Sequence, residues 1–238
     1  MMPVWGEPPL EPLLAQGHVD VWHWDFHRIR DFAPSDACLS QDEHAHSARF
    51  KTEESGRNFI GSHIFLRRVL SLYLKVDPSL IVFETDALNR PHLPGFGHTA
   101  GVQFNLSHSS QSAVCAVACD IRVGIDLERV SPQLCDESTA QLVFTETELE
   151  GLRRLRPSEQ PAAFFRGWTR KEAYGKCIGL GLSESLRDVE LGLTEPILTF
   201  RGVEVRTFYC PNGYIGSLAA APPPHELRFF NCDGSSVG

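Results

Sequence analysis

Residues 122–128, RVGIDLE, sort two kinds of side chain by alternation. On an extended strand Val123, Ile125 and Leu127 share one face, while Gly124, Asp126 and Glu128 share the other. Carboxylates two residues apart have Cβ atoms ~6–7 Å apart on the same side of a strand. At that separation they can converge on one hard cation. Mg²⁺ takes oxygen ligands, commonly one or two carboxylates with waters and phosphate oxygens. An edge strand with a solvated acidic face would carry the same pattern, and the two residues alone leave both readings open.

The segment 161–178 adds to this set. Phe164, Phe165, Trp168 and Ile178 mark the packed face of a helix, and Lys171, Glu172 and Lys176 interrupt the sequence beside it. Glu172 and Lys176 are four apart, so they project from one side. As a surface ion pair they would be worth only ~0.3–0.5 kcal/mol. In a site, Glu172 is a third oxygen ligand and Lys176 a phosphate contact. Arg49, Lys51, Arg57, Arg90 and His108 are further cationic candidates, each on its own readable as a solvated residue. With the acid triad they form the set a polyphosphate needs: a metal at the pyrophosphate, and Arg, Lys and His for outlying charge.

Positioning these groups takes a sizeable framework, and 238 residues supply one large domain or two small ones. Strands are predicted over 18–26, 80–83, 101–106, 112–118, 121–128, 203–209, 214–220 and 226–230, with a polar turn at Ser107–Ser110 and a frayed chain end. Apolar residues from Phe59 to Leu74 recur at helical spacing, and Asp77-Pro78 closes that helix. Thr145 and Glu148 form a capping-box pattern for a helix over 146–155. Pro161 suits the first turn of a longer helix that Gly179 ends. NRPHLPGFG (89–97) reads as a Pro/Gly-rich loop. Runs of strands with separate helices indicate an α+β fold.

Composition narrows the function. The 22 basic and 30 acidic residues give a net charge of −8, which argues against a general nucleic-acid binder. No stretch suits a membrane span, and the acidic, Pro-containing N-terminus is unlike a signal peptide. Seven cysteines without a CxxC pair indicate free thiols and a cytoplasmic setting, with Cys115 and Cys119 as buried thiols. His23, His27, His44 and His46 are metal ligands by type but lack partners at zinc-site spacing. Asn105-Leu106-Ser107 fits a glycosylation sequon, which means little without a secretory signal.

VGIDLE followed some 40 residues later by WTRKEAYGKCIGLGL resembles the 4′-phosphopantetheinyl transferases of the surfactin-synthetase-activating (Sfp-like) type. RFKTEESGRNFI, NRPHLPG, FNLSHS and FTETELE fall in that family's order. Ala173 places the chain with the KEA variants; Gly175 and Cys177 occupy positions that the resemblance does not interpret. The resemblance implies two similar α+β halves, 1–118 and 119–238, in a pseudo-twofold arrangement with the active site in the cleft between them. It implies transfer of phosphopantetheine from coenzyme A to a serine of an acyl or peptidyl carrier protein, in a fatty-acid, polyketide or nonribosomal-peptide synthase. Adenosine 3′,5′-bisphosphate is released. Asp126, Glu128 and Glu172 would be Mg²⁺ ligands and Lys176 a coenzyme A phosphate contact. Removal of the serine proton needs a base, and Glu172, a carboxylate near the metal, suits that role directly or through a water. Ser107 and His108 would lie beside the 3′-phosphate, Arg90, Pro91 and His92 along the adenine nucleotide, and Arg49 and Arg57 at its outer charge. Neither nucleic acid nor membrane is an expected partner, and a monomer would contain the whole site. Arg153, Arg154 and Arg156 could steer an acidic carrier.

Two other readings compete. A different Mg²⁺-dependent phosphoryl-transfer enzyme would need a Walker A or kinase Gly-rich loop, which the chain lacks. A non-catalytic coenzyme A or carrier-binding module would have no need of the intact acids and Lys176.

Overall fold

The computed structural model describes residues 3–26, 35–87, 90–94, 101–180 and 186–232. His27, the end of the Pro/Gly-rich loop and the terminal residues lie outside them.

Two four-stranded sheets form the centre. The first has the order β10 (Glu226–Cys232), β1 (His18–Asp25), β5 (Ser112–Cys119), β4 (Val102–Ser109). The second has the order β6 (Arg122–Arg129), β9 (Tyr214–Ala221), β8 (Val203–Cys210), β7 (Ile197–Phe200). Only β1 and β10 pair in parallel within these sheets. A helix follows the first strand in each half of the chain: α2 (Glu53–Leu74) lies between β1 and β4, and α5 (Gln160–Ile178) between β6 and β8. The orders β1-β5-β4 and β6-β9-β8 are therefore one connection scheme used twice. β10 departs from it by crossing back to the first sheet.

Alternation along the strands explains the layering. Val19 and Val21 of β1 join Val114, Ala116 and Ala118 of β5 in a core shared with Ile125, Leu127, Leu218 and Phe208 of the second sheet. Trp22, Trp24, Cys115 and Val117 point the opposite way, onto Ile64, Phe65, Val69 and Leu70 of α2. Each such large side chain contributes roughly 1.5–3 kcal/mol by leaving water. Behind the second sheet, α5 sets Ala173, Tyr174 and Cys177 on Val205 and Ala219. The order of layers is helix, sheet, sheet, helix.

Local signals set several element ends as expected. Thr145 and Glu148 make a reciprocal capping box on α4 (Glu146–Arg154). α5 has Pro161 in its first turn and ends on Gly179 at φ 79°. α1 (Gln41–Ser47) and α3 (Glu137–Val143) were not anticipated.

Four expectations change. The apolar run 80–83 is not a strand: Pro78–Leu80 is a 3-10 turn capped by Asp77. Ile81 is buried, while Leu80 and Val82 face solvent without a strand partner. The short pairing comes just after, between β2 (Glu84–Thr85) and β3 (Pro91–His92), so Pro91 and His92 belong to a ladder. Ser107–Ser109 continue β4, and the turn is confined to Ser110 and Gln111, with Ser110 at φ 50°. Cys115 is buried as expected, but Cys119 is partly exposed.

Candidate active site

β6 is where the two sheets meet the helix. Ile125 and Leu127 are fully buried between the sheets, and Gly124, Asp126 and Glu128 turn toward α5. Gly124 fixes how close that helix comes. A Cβ there would stand 2.1 Å from the Ala173 carbonyl oxygen and 2.4 Å from the Cys177 nitrogen. Both are backbone atoms, so no side chain fits. Ala173 and Cys177 are the seat of α5 on the strand, and this contact sets Glu172 and Lys176 against the acids.

Asp126 Oδ1 accepts from Lys176 Nζ at 2.7 Å and from Ser107 Oγ at 2.9 Å. Lys176 Nζ also donates to the Ile125 carbonyl at 3.0 Å and to Ser107 Oγ at 3.2 Å. Glu128 Oε2 accepts from Ser109 Oγ at 2.7 Å. Asp126 Oδ2 and Glu172 Oε1 are buried with no hydrogen-bond partner among the described residues. Burial, with Asp126 adding its charge, pushes Glu128 up to about 7. Burial, Asp126 and Glu128 push Glu172 up to about 7 as well, against the pull of Lys176.

These features fit a hard divalent cation. The donors are carboxylate oxygens, two are orphaned among the described residues, and burial together with the charge of Asp126 raises the proton affinity of both glutamates. Among the described residues no three metal-binding side chains already form a ligand set. Lys176 meets the charge of Asp126 instead.

A cleft of about 100 Å³ opens beside Lys176, lined by Arg90, Pro91, His92, Asn105 and Arg122 among others. Arg90 is braced there by Asp86, with Nε 2.8 Å from Oδ2. His108 lies on the other face of β4 from Ser107. Desolvation by the surrounding protein, then the nearby His63 and Lys176, hold its pKa below the usual histidine value. Its neighbour His63 is aimed by Glu43, at 2.9 Å, which Arg67 clamps in turn.

Arg49 and Arg57 stand apart. Both are exposed, and Arg57 pairs with Glu53 one helical turn away at 2.9 Å. Among the described residues no hydrogen bond or ion pair ties either to the acids. Arg153, Arg154 and Arg156 are each matched by acids, namely Glu137 with Glu146, Glu150 and Glu159. The run is charge-balanced rather than a bare basic patch. His46 stacks on Phe59 at 4.8 Å.

Sequence reasoning passed over Asn105, Ser109 and Lys171 as parts of the assembly. Asn105 and Ser109 are two residues either side of Ser107, so a strand reading of FNLSHS would have put all three on one face. Lys171 is buried with Glu148 at 2.8 Å, each 1% exposed. Glu148 also accepts from the Leu191 and Gly192 nitrogens. Arg170 donates to the Leu191 and Gly192 carbonyls. Adjacent residues of α5 thus serve two purposes: Arg170 and Lys171 anchor the chain beyond the helix, while Glu172 and Lys176 face the acids.

Known proteins match over most of the chain. Residues 122–212 match the 4′-phosphopantetheinyl transferase superfamily, and residues 23–120 match the family described as 4′-phosphopantetheinyl transferase, N-terminal. The 4′-phosphopantetheinyl transferase HetI of Nostoc sp. is 36% identical over 194 residues, 80% of either chain. The transferase Sfp of Bacillus subtilis is 26% identical, covering 78% of this chain and 83% of its own. The L-aminoadipate-semialdehyde dehydrogenase-phosphopantetheinyl transferase of Xenopus laevis is 26% identical over 64% of this chain and 53% of its own. With that extent of identity, and both halves of the chain matched, the protein belongs to the 4′-phosphopantetheinyl transferase superfamily and is an enzyme of the transferase class.

Proposed function

We propose that this enzyme moves phosphopantetheine from coenzyme A to a serine hydroxyl of an apo acyl or peptidyl carrier protein, releasing adenosine 3′,5′-bisphosphate. The observation that carries the reading is the meeting of Asp126, Glu128, Glu172 and Lys176 at the β6–α5 contact in a chain of this family. Residues 1–118 supply the contacts to the nucleotide, with β4 also bracing the acids, and residues 119–238 supply the acids and Lys176.

The serine oxygen attacks the β-phosphorus of the pyrophosphate. A phosphorus–oxygen bond forms there, and the bond to the bridging oxygen breaks, its electron pair leaving with the bisphosphate. The serine proton passes to Glu172, whose carboxyl is buried and pushed up to about 7. That affinity is the metal-free cluster's; beside a bound cation it would be lower and the carboxylate ionised, ready to accept the proton. Asp126, Glu128 and Glu172 would hold Mg²⁺, which when bound supplies positive charge to the pyrophosphate. Lys176 can release Asp126 and turn its ammonium to a phosphate oxygen.

Arg90, Pro91 and His92 border the cleft and receive the adenine nucleotide. His108 meets the 3′-phosphate, while Ser107 supports it by holding Asp126. The exposed Arg49 and Arg57 are available to the outer charge of the nucleotide.

The test is mass spectrometry of apo-carrier protein incubated with the enzyme, coenzyme A and Mg²⁺. A phosphopantetheine mass gain that EDTA abolishes is expected. Coenzyme A binding without mass gain would reject the reading in favour of a binding module.

A further inference from the structure

β6 is an edge strand: β9 pairs with one side, and among the described residues no strand pairs with the other. Such an edge leaves backbone groups open, while pairing with β9 and the burial of Ile125 and Leu127 set the register that puts Asp126 and Glu128 on one face. Here side chains replace the missing strand. The Ile125 nitrogen donates to Asn105 Oδ1 at 2.8 Å, and the Arg129 nitrogen donates to Ser109 Oγ at 3.3 Å. Between them Ser107 Oγ holds Asp126. Asn105, Ser107 and Ser109 share one face of β4, so three side chains two apart run along the free edge of β6.

We propose that Asn105 and Ser109 are positioning residues for the transfer site, Asn105 tying down the free edge of the acidic strand at Ile125 and Ser109 fixing the orientation of the Glu128 carboxylate. Ser109 is suited to this because one hydroxyl makes both contacts. It accepts from the Arg129 backbone and donates to Glu128 Oε2 at 2.7 Å, tying the carboxylate to its own strand. It also sits one residue before the tight turn at Ser110 and pairs across β5 with buried Ser112, which limits its movement. A carboxylate fixed in this way loses less freedom when it takes up a cation. The inference rests on the proposal that these acids hold Mg²⁺.

Full-length apoprotein titrated with Mn²⁺ and followed by electron paramagnetic resonance tests it without turnover, with melting temperature measured alongside. Ser109→Ala should weaken Mn²⁺ binding about tenfold, the lower end of what an outer-shell partner contributes, at a near-wild-type melting temperature. Ser109→Thr keeps the hydroxyl and should bind within about twofold of wild type, whereas Asn105→Ala should lose affinity as Ser109→Ala does. Unchanged binding in Ser109→Ala and Asn105→Ala, or equal losses in Ser109→Ala and Ser109→Thr, would overturn the proposal. A wild-type protein that takes up no Mn²⁺ would overturn the cation reading and this inference with it. Uptake that ignores the substitutions would overturn this inference alone.

Discussion

Asp126 divides its two oxygens between different conditions. Oδ1 is held by Ser107 and Lys176, and Oδ2 is buried with no donor to it among the described residues. Glu128 and Glu172 complete the cluster, and burial followed by the charge of Asp126 raises the proton affinity of both. The sign of the resulting pH dependence follows from where protons are bound. Both glutamates sit at about 7 when folded, against 4.5 for an unperturbed glutamate. These two groups therefore bind more protons in the folded protein than in the unfolded chain between those values. The stability they contribute is fully present below that window and falls as pH rises through it, because ionising the cluster is costly. A divalent cation would remove that cost. Adding Mg²⁺ should raise the melting temperature more at pH 8 than at pH 5.5, measured by calorimetry without coenzyme A. An increase independent of pH, or larger at pH 5.5, would contradict the electrostatic account.

At the scale of elements, the site is made where α5 rests on β6 and β4 runs along its edge. Gly124→Ala tests the first contact. The added methyl would meet backbone atoms of α5, and relief by helix movement costs about 1–3 kcal/mol or more. It also shifts Glu172 and Lys176, and misplacement by about 1 Å can cost 10²-fold in rate. A lowered melting temperature together with at least a tenfold loss of transfer is expected; full activity would show that the contact does not set the site. Much of this was legible beforehand. Period two in RVGIDLE put Asp126 and Glu128 on one face, and the four-residue spacing put Glu172 beside Lys176. FNLSHS misled because its serines were read as turn formers. They are strand residues whose polarity is matched by polar partners on β6, and such matching is invisible without the third dimension. Lys171 was obscured for the same reason: a lysine reads as solvent-facing until its partner, Glu148 in another helix, is known.

Over the whole molecule, one connection scheme used twice puts two sheets face to face and leaves β4 and β6 side by side at their edges. The mixed order of strands and helices conveyed the α+β class. The return of β10 to the first sheet was not legible, since a strand's sequence says little about which partner it takes. In this arrangement β4 contributes Asn105, Ser107 and Ser109, and the later half contributes the acids and Lys176. Among the described residues no helix is long and apolar enough to cross a membrane. The central claim is that this junction carries out phosphopantetheine transfer with Glu172 as the proton acceptor. Its most direct test is the single-turnover transfer rate of Glu172→Gln at saturating coenzyme A and Mg²⁺. A loss of at least about 100-fold is predicted, the lower bound for a general base, with coenzyme A affinity within a few-fold of wild type. Near-normal turnover in that variant would contradict the account.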